Sequence, residues 1–275
     1  MDRHPSYHYH RPRKRFGQHF LHDAQVLKQM LTLIHPNPPD HLVEIGPGQG
    51  ALTDYLVRSQ WSRLDLIEID RDLAPRLSEK YKSYTTLHVH CQDILAFGLE
   101  ALAADQPLRI VGNLPYNIST PLLFKLFEAL PVIKDMHFLL QKEVVERLTA
   151  PVGSHNYNRL SVMTQYFCKN QRLINVSAQA FTPPPQVESA FVRLTPYQPL
   201  PVEAEDLSLF RQVVQEAFSH RRKTISNALK RLVSHSELNM AGIDLKRRPQ
   251  ELSVADFVHI SNALCKKAAG SGRLF

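Results

Sequence analysis

Between Leu42 and Gly50 the chain reads Leu-Val-Glu-Ile-Gly-Pro-Gly-Gln-Gly, a β-rich apolar run that stops in three glycines. Glycine in a strand-to-helix turn lets the backbone approach a ligand with no Cβ in the way. Glu68 closes the next apolar run about twenty residues on, where a carboxylate can accept both ribose hydroxyls of a nucleoside. Asp93 follows a third run, at the same end of the sheet, where ligands collect in open α/β folds. Turn glycines, an acid and a second acid on three successive strand ends predict a nucleoside site. Gly46, Gly48 and Gly50 are spaced GxGxG rather than GxGxxG, and Pro47 removes an amide that a pyrophosphate would use. The pattern suits a cofactor without phosphates, of which S-adenosylmethionine is the common one. A dinucleotide-dependent dehydrogenase is the weaker reading.

Asn113-Leu114-Pro115-Tyr116 ends the fourth apolar run, beside that pocket. The exocyclic amine of adenine is a poor nucleophile because its lone pair is delocalised into the ring. Two carbonyl acceptors that hold both amine hydrogens push the nitrogen toward tetrahedral geometry. The side-chain oxygen of Asn113 and the main-chain carbonyl of Leu114 can act as that pair. Pro115 fixes the backbone direction and biases Leu114 away from helical angles. Tyr116 offers a flat face for the base, and such stacking contributes about 1–3 kcal/mol. No strong general base is needed, since a sulfonium donor leaves as a neutral thioether.

The elements that must carry these residues alternate. Leu42–Gly46, Leu64–Asp70, Leu108–Gly112 and Met136–Leu140 read as buried strands, and Thr86–His90 as a less apolar one. Leu52, Leu56 and Val57 share a helical face after the first. Leu122, Leu123, Leu126, Phe127 and Leu130 share another after the fourth. Strands alternating with helices predict an α/β fold with a parallel sheet. Arg172–Phe181 and Ser189–Thr195, separated by Thr182-Pro-Pro-Pro185, are expected to form an antiparallel hairpin at one sheet edge. After a Pro- and acid-rich linker from Tyr197 to Asp206, helical spacing returns. It runs through Leu207, Phe210, Val213, Val214, Ala217 and Phe218, then Ile225, Ala228, Leu229 and Leu232. Val254, Phe257, Val258 and Leu264 repeat it. The expected organisation is a basic tail over 1–15, an α/β domain over 16–199 and a small all-helical domain over 203–268.

The chain has 275 residues and a net charge of +7 that sits at its two ends: +4 over residues 1–16, +4 over 203–275 and −1 between them. Basic ends around a near-neutral middle predict a polyanionic partner, with Arg11, Arg13, Lys14 and Arg15, then Arg221, Arg222 and Lys223, and Lys246, Arg247 and Arg248 as its contacts. Three cysteines, Cys91, Cys168 and Cys265, form no CxxC pair, which argues against a disulfide framework or cysteine metal site and for a reducing, cytoplasmic setting. His4, His8 and His10 have no carboxylate or cysteine nearby, so no metal site is expected. No apolar run reaches the length of a membrane span, and the N-terminus has no secretory h-region. No dimer helix is evident, and a monomer is expected.

Lys14-Arg-Phe-Gly-Gln-His-Phe-Leu21, Val43-Glu-Ile-Gly-Pro-Gly48, Gly112-Asn-Leu-Pro-Tyr-Asn-Ile-Ser-Thr-Pro121, Leu140-Gln-Lys-Glu143 and Ala180-Phe-Thr-Pro-Pro-Pro185 together resemble the ribosomal RNA adenine dimethyltransferase family. The likeness runs from about Arg13 to the last helix. It implies a Rossmann-like methyltransferase domain that uses S-adenosylmethionine, followed by a small C-terminal all-helical domain. It also implies four methyl transfers to two adjacent adenosines near the 3′ end of 16S rRNA, within a small ribosomal subunit precursor. Carried over by position, the cofactor contacts fall on His19, Leu21, Gly46, Glu68, Asp93 and Asn113. The target base falls on Asn113, Leu114 and Tyr116, with Phe181 stacking from the other side. At position 19 the family often has Asn, and an imidazole can still donate a hydrogen bond there.

Three other readings share parts of this pattern. They are an erythromycin-resistance type dimethylase acting on large-subunit RNA, a non-catalytic nucleic-acid binder such as the mitochondrial transcription factors, and an adenine-specific DNA methylase. Leu114, the 181–185 loop and Arg221-Arg-Lys-Thr-Ile225 favour the small-subunit substrate, and the intact set of Gly46, Glu68, Asp93 and Asn113 favours retained catalysis.

Overall fold

The structure, a computed structural model, describes residues 18–103 and 106–270, with side chains to 265. The basic tail over 1–15, with His4, His8, His10 and the Arg11–Arg15 cluster, lies outside the described residues. Nine strands are described: β1 (Phe20–Leu21), β2 (His41–Ile45), β3 (Arg63–Glu68), β4 (Leu87–Cys91), β5 (Leu108–Asn113), β6 (Ile133–Gln141), β7 (Cys168–Val176), β8 (Phe181–Thr182) and β9 (Ser189–Pro196). Seven form one sheet in the order β4-β3-β2-β5-β6-β9-β7, and β1 pairs with β8 in a separate ribbon. The pairs β4–β3, β3–β2, β2–β5 and β5–β6 are all parallel. Every residue of β2 is buried, as a parallel strand covered on both faces requires.

Buried strands of this kind tolerate polar residues only when those are paired, and here they are. Asp65 on β3 accepts from His41 Nε2 and His90 Nε2, each at 2.6 Å, and from Arg63 Nε at 2.7 Å. Burial pushes its pKa up, but these three donors outweigh that and hold it well below the usual carboxylate range. Arg109 on β5 donates to Asp40 at 2.6 Å, to Asp135 at 2.9 Å and to the carbonyls of Ile34 and His35. That last pair of contacts ties the C-terminus of α1 (Ala24–Ile34) to the sheet. His35 caps the helix in the left-handed region at φ 49°.

The chain forms two compact units, and neither is continuous in sequence: Met1–Lys142 with Leu173–Val192, and Glu143–Arg172 with Arg193–Phe275. The first carries α1, α2 (Thr53–Leu56), α3 (Leu73–Lys80) and α4 (Ser119–Glu128) around the parallel strands. Its core gathers Leu27, Met30, Leu42, Leu56, Leu64, Val111, Leu139, Phe181 and Phe191. The second contains α5 (Lys142–Leu148, from Glu143 on), α6 (Arg159–Phe167), α7 (Leu207–Ser219), α8 (Ile225–Ala228), α9 (His235–Met240) and α10 (Val254–Gly270). Its core is aromatic, with Tyr166 against Phe210 at 4.6 Å and Phe218 against Phe257 at 5.7 Å between ring centroids. Sequence periodicity placed only the helices after residue 203 in this group, whereas α5 and α6 belong to it as well.

The strands expected from the sequence are present, with β6 starting three residues earlier and β7 lying over 168–176 instead of 172–181. β9 and β7 are neighbours, with β7 outermost. The chain leaves β7 at Val176, turns through Ala178–Ala180 and enters β8, which pairs antiparallel with β1 at Leu21↔Phe181 and Phe20↔Thr182. Among the described residues no helix is long and apolar enough to cross a membrane.

Candidate active site

The C-terminal ends of β2, β3, β4 and β5 open into one cavity. Gly46 and Gly48 from the first, Glu68 from the second, Asp93 after the third and Asn113, Leu114 and Tyr116 after the fourth all line it, together with His19 and Leu21. Eight of the nine residues expected at the site are therefore brought together. Phe181 is the exception. It is only 2% exposed, belongs to the core and does not line the cavity. Its register partner across the β1–β8 ribbon is Leu21, and both side chains belong to the apolar cluster.

Gly46 sits at φ +65° and Gly48 at φ +59°, conformations that L side chains rarely adopt. A Cβ on Gly48 would also lie 3.0 Å from the Phe20 ring, which closes over the turn. The turn is further held by Glu68, whose Oε2 accepts from Gly48 N at 3.0 Å while Oε1 accepts from Asp70 N at 2.9 Å. Burial raises the pKa of this carboxyl, partly offset by those two backbone N–H groups. Glu44, fully enclosed behind the turn, accepts from Thr53 Oγ1 at 2.7 Å. Burial, with repulsion from Glu68 and Asp54, pushes it up to about 8 despite that bond.

At the other end of the cavity, Asn113 Nδ2 donates to the His19 carbonyl at 3.0 Å. A carbonyl can only accept, so the amide nitrogen must face His19 and the orientation of Asn113 is settled. Its Oδ1 then receives no donor among the described residues. The Tyr116 hydroxyl and Ser189 Oγ are 2.8 Å apart, with Ser189 fully buried at the start of β9. The His19 ring stacks on Tyr116, with centroids 5.5 Å apart and planes at 27°. Ser189, the Glu68–Gly48 bond and the His19–Tyr116 stack carry no local sequence signal. The Ser189 and His19 contacts join segments distant in sequence, and only the fold brings them together.

The lining also tests which cofactor fits. Among the described residues it contains the acids Glu68 and Asp93, with the buried Glu44 behind them holding its proton, and no Lys or Arg. Apolar side chains of Ile45, Ile67, Ile69, Ile94 and Leu95 make up much of the wall. Such a site attracts a cation and repels phosphate, so it fits a sulfonium nucleoside and disfavours a dinucleotide. Among the described residues no group of three or more His, Cys, Asp or Glu is placed to hold a metal.

Comparison with known proteins converges on one family. Residues 9–266 match the family described as ribosomal RNA adenine dimethylase. The ribosomal RNA small subunit methyltransferase A of Coxiella burnetii (strain CbuG_Q212) is 57% identical over 252 residues, covering 92% of this chain and 97% of that one. The protein of the same description from Pseudomonas syringae pv. tomato is 50% identical, covering 94% and 96%. Among solved structures, a dimethyladenosine transferase from Plasmodium falciparum superposes with a TM-score of 0.75 at 26% identity, over 92% of this chain and 98% of that one. The 23S rRNA methyltransferase ErmE gives 0.71 at 25% identity, over 90% and 99%. With the glycine turn, the acid-lined nucleoside cavity and the Asn-Leu-Pro-Tyr turn in place, the chain belongs to the ribosomal RNA adenine dimethylase family, in its RsmA/KsgA group, and is an S-adenosylmethionine-dependent methyltransferase.

Proposed function

We propose that this protein dimethylates the exocyclic amines of two adjacent adenosines near the 3′ end of 16S rRNA, by four methyl transfers within a small ribosomal subunit precursor in the cytoplasm. The observation that carries the chemistry is the orientation of Asn113. Its amide nitrogen is engaged by His19, which leaves the side-chain oxygen as an acceptor beside the main chain of Leu114. Two acceptors at that turn hold the two amine hydrogens of an adenine, and Tyr116, anchored through its hydroxyl to Ser189, supplies the stacking face. A base must leave its stack to reach them.

Glu68, Asp93 and the turn at Gly46 hold the nucleoside part of the cofactor, His19 and Leu21 close that side, and the acids compensate its positive charge. When bound, S-adenosylmethionine supplies the methyl group and departs as S-adenosylhomocysteine, a neutral thioether. The methylated amine then loses its proton without a dedicated strong base. The small-subunit substrate is favoured over the large one by the relatives: 57% identity to a small-subunit methyltransferase against 25% to the 23S enzyme.

Asn113→Ala tests the activation step. Loss of one positioned acceptor should lower kcat by about 10²–10³-fold, as for single electrostatic partners elsewhere, while cofactor affinity measured by calorimetry falls far less. Near-normal turnover in that variant would remove Asn113 from the reaction.

A further inference from the structure

His19 occupies an unusual place. Its imidazole lies against the Tyr116 ring with centroids 5.5 Å apart and planes at 27°. Nδ1 is 2.8 Å from the Pro183 carbonyl oxygen, which only accepts, so Nδ1 carries the proton and donates. The main chain of His19 is fixed independently. Its carbonyl accepts from Asn113, and the next two residues pair with Thr182 and Phe181. The ring therefore has one polar tether and one stacking partner, whereas its backbone is held on two sides.

A base stacked on Tyr116 sits about 3.5 Å from its ring, and a base between two rings therefore needs about 7 Å from ring to ring. The observed 5.5 Å does not admit one. The imidazole must leave that face for a base to use it. A purine, with two fused rings, offers more stacking area than the imidazole it would replace.

We propose that His19 is a displaceable cap on Tyr116: its imidazole covers the face that the substrate adenine takes, and it gives up the Pro183 tether as the base enters. The His19 carbonyl stays on Asn113 throughout, so the acceptor pair keeps its orientation while the cap moves. This rests on the reading of Asn113 and Tyr116 as the base site. It gives His19 a role at the base, distinct from the cofactor contact that position alone would suggest.

The test is steady-state methylation of small ribosomal subunits from a strain lacking its own dimethylase, with kcat and KM separated, for His19→Ala, Tyr116→Ala and the double variant. Affinity for S-adenosylmethionine is measured in parallel by calorimetry. Removing the cap should lower KM for subunits by about 2- to 10-fold, the equivalent of one aromatic pair, whereas Tyr116→Ala should raise it. In the Tyr116→Ala background the His19 substitution should have no effect on KM, because no face remains to be covered. His19→Asn, which removes the ring and keeps a polar side chain, should reproduce the lower KM and guards against a folding artefact in the Ala variant.

A raised KM in both His19 variants would overturn the cap. So would a KM decrease that persists without Tyr116, or a defect confined to cofactor affinity. Unchanged kinetics in Tyr116→Ala alone would remove the base site itself, and the cap with it.

Discussion

A carboxyl group shut away from water keeps its proton, and Glu44 is such a group. Its pKa is pushed up to about 8, first by burial and then by Glu68 and Asp54, against the single bond from Thr53. Between its ordinary value near 4.5 and about 8, the folded chain holds a proton that the unfolded chain has lost. The unfolded state therefore binds fewer protons, and stability falls as pH rises through that window. Glu44→Gln has no proton to lose and can keep a carbonyl oxygen toward Thr53. The melting temperature of the variant should gain on the parent steadily from pH 5 to pH 8, and parallel curves would contradict the assignment. At this scale most of the site was legible in the sequence. Glu68 and Asn113 end buried parallel strands, Asp93 follows the half-exposed edge strand β4, and strand ends in an α/β sheet converge. What the sequence hid was each residue's second partner: Glu68 also locks Gly48, and Asn113 is oriented by the His19 carbonyl. Phe181 is buried in the core and does not line the cavity, a placement the sequence does not reveal, because a ring at a strand end looks the same whether it faces the cavity or the core.

Elements are held by a few buried charges, and Arg109 is the clearest case. It joins the end of α1, Asp40 and Asp135, with 7% of its side chain exposed. Arg109→Leu would leave carboxylates in a dry setting with their main counter-charge removed. That should cost about 3–5 kcal/mol of stability, read by urea unfolding. A loss under about 1 kcal/mol would mean that Lys134, 3.0 Å from Asp40, suffices alone. The parallel strands were legible because continuous apolar runs between turns have few other fates. β1 and β8 were not, since two residues carry no periodicity and their pairing spans most of the domain. α9 is six residues long, and its mark is local: Ser234 and Glu237 form a capping box.

For the whole molecule, the question is which RNA it holds and with which charges. Of the three basic residues at 221–223, Arg221 donates to the His155 carbonyl, whereas Arg222 and Lys223 are exposed. Replacing Arg222 and Lys223 by Ala should flatten the salt dependence of binding to small subunits by about 1–2 log units per log unit of salt. An unchanged slope would make them a solvated face. The interleaved units were not legible, because charge and composition shift at residue 203 while the second unit also draws Glu143–Arg172 from the middle of the chain. The most direct test of the account is methyl transfer from labelled S-adenosylmethionine to small ribosomal subunits from a dimethylase-deficient strain, with large subunits and duplex DNA alongside and the products digested to nucleosides. The account predicts dimethyladenosine from small subunits alone. Label on large subunits or DNA, or none at all from a protein that still binds the cofactor, would contradict it.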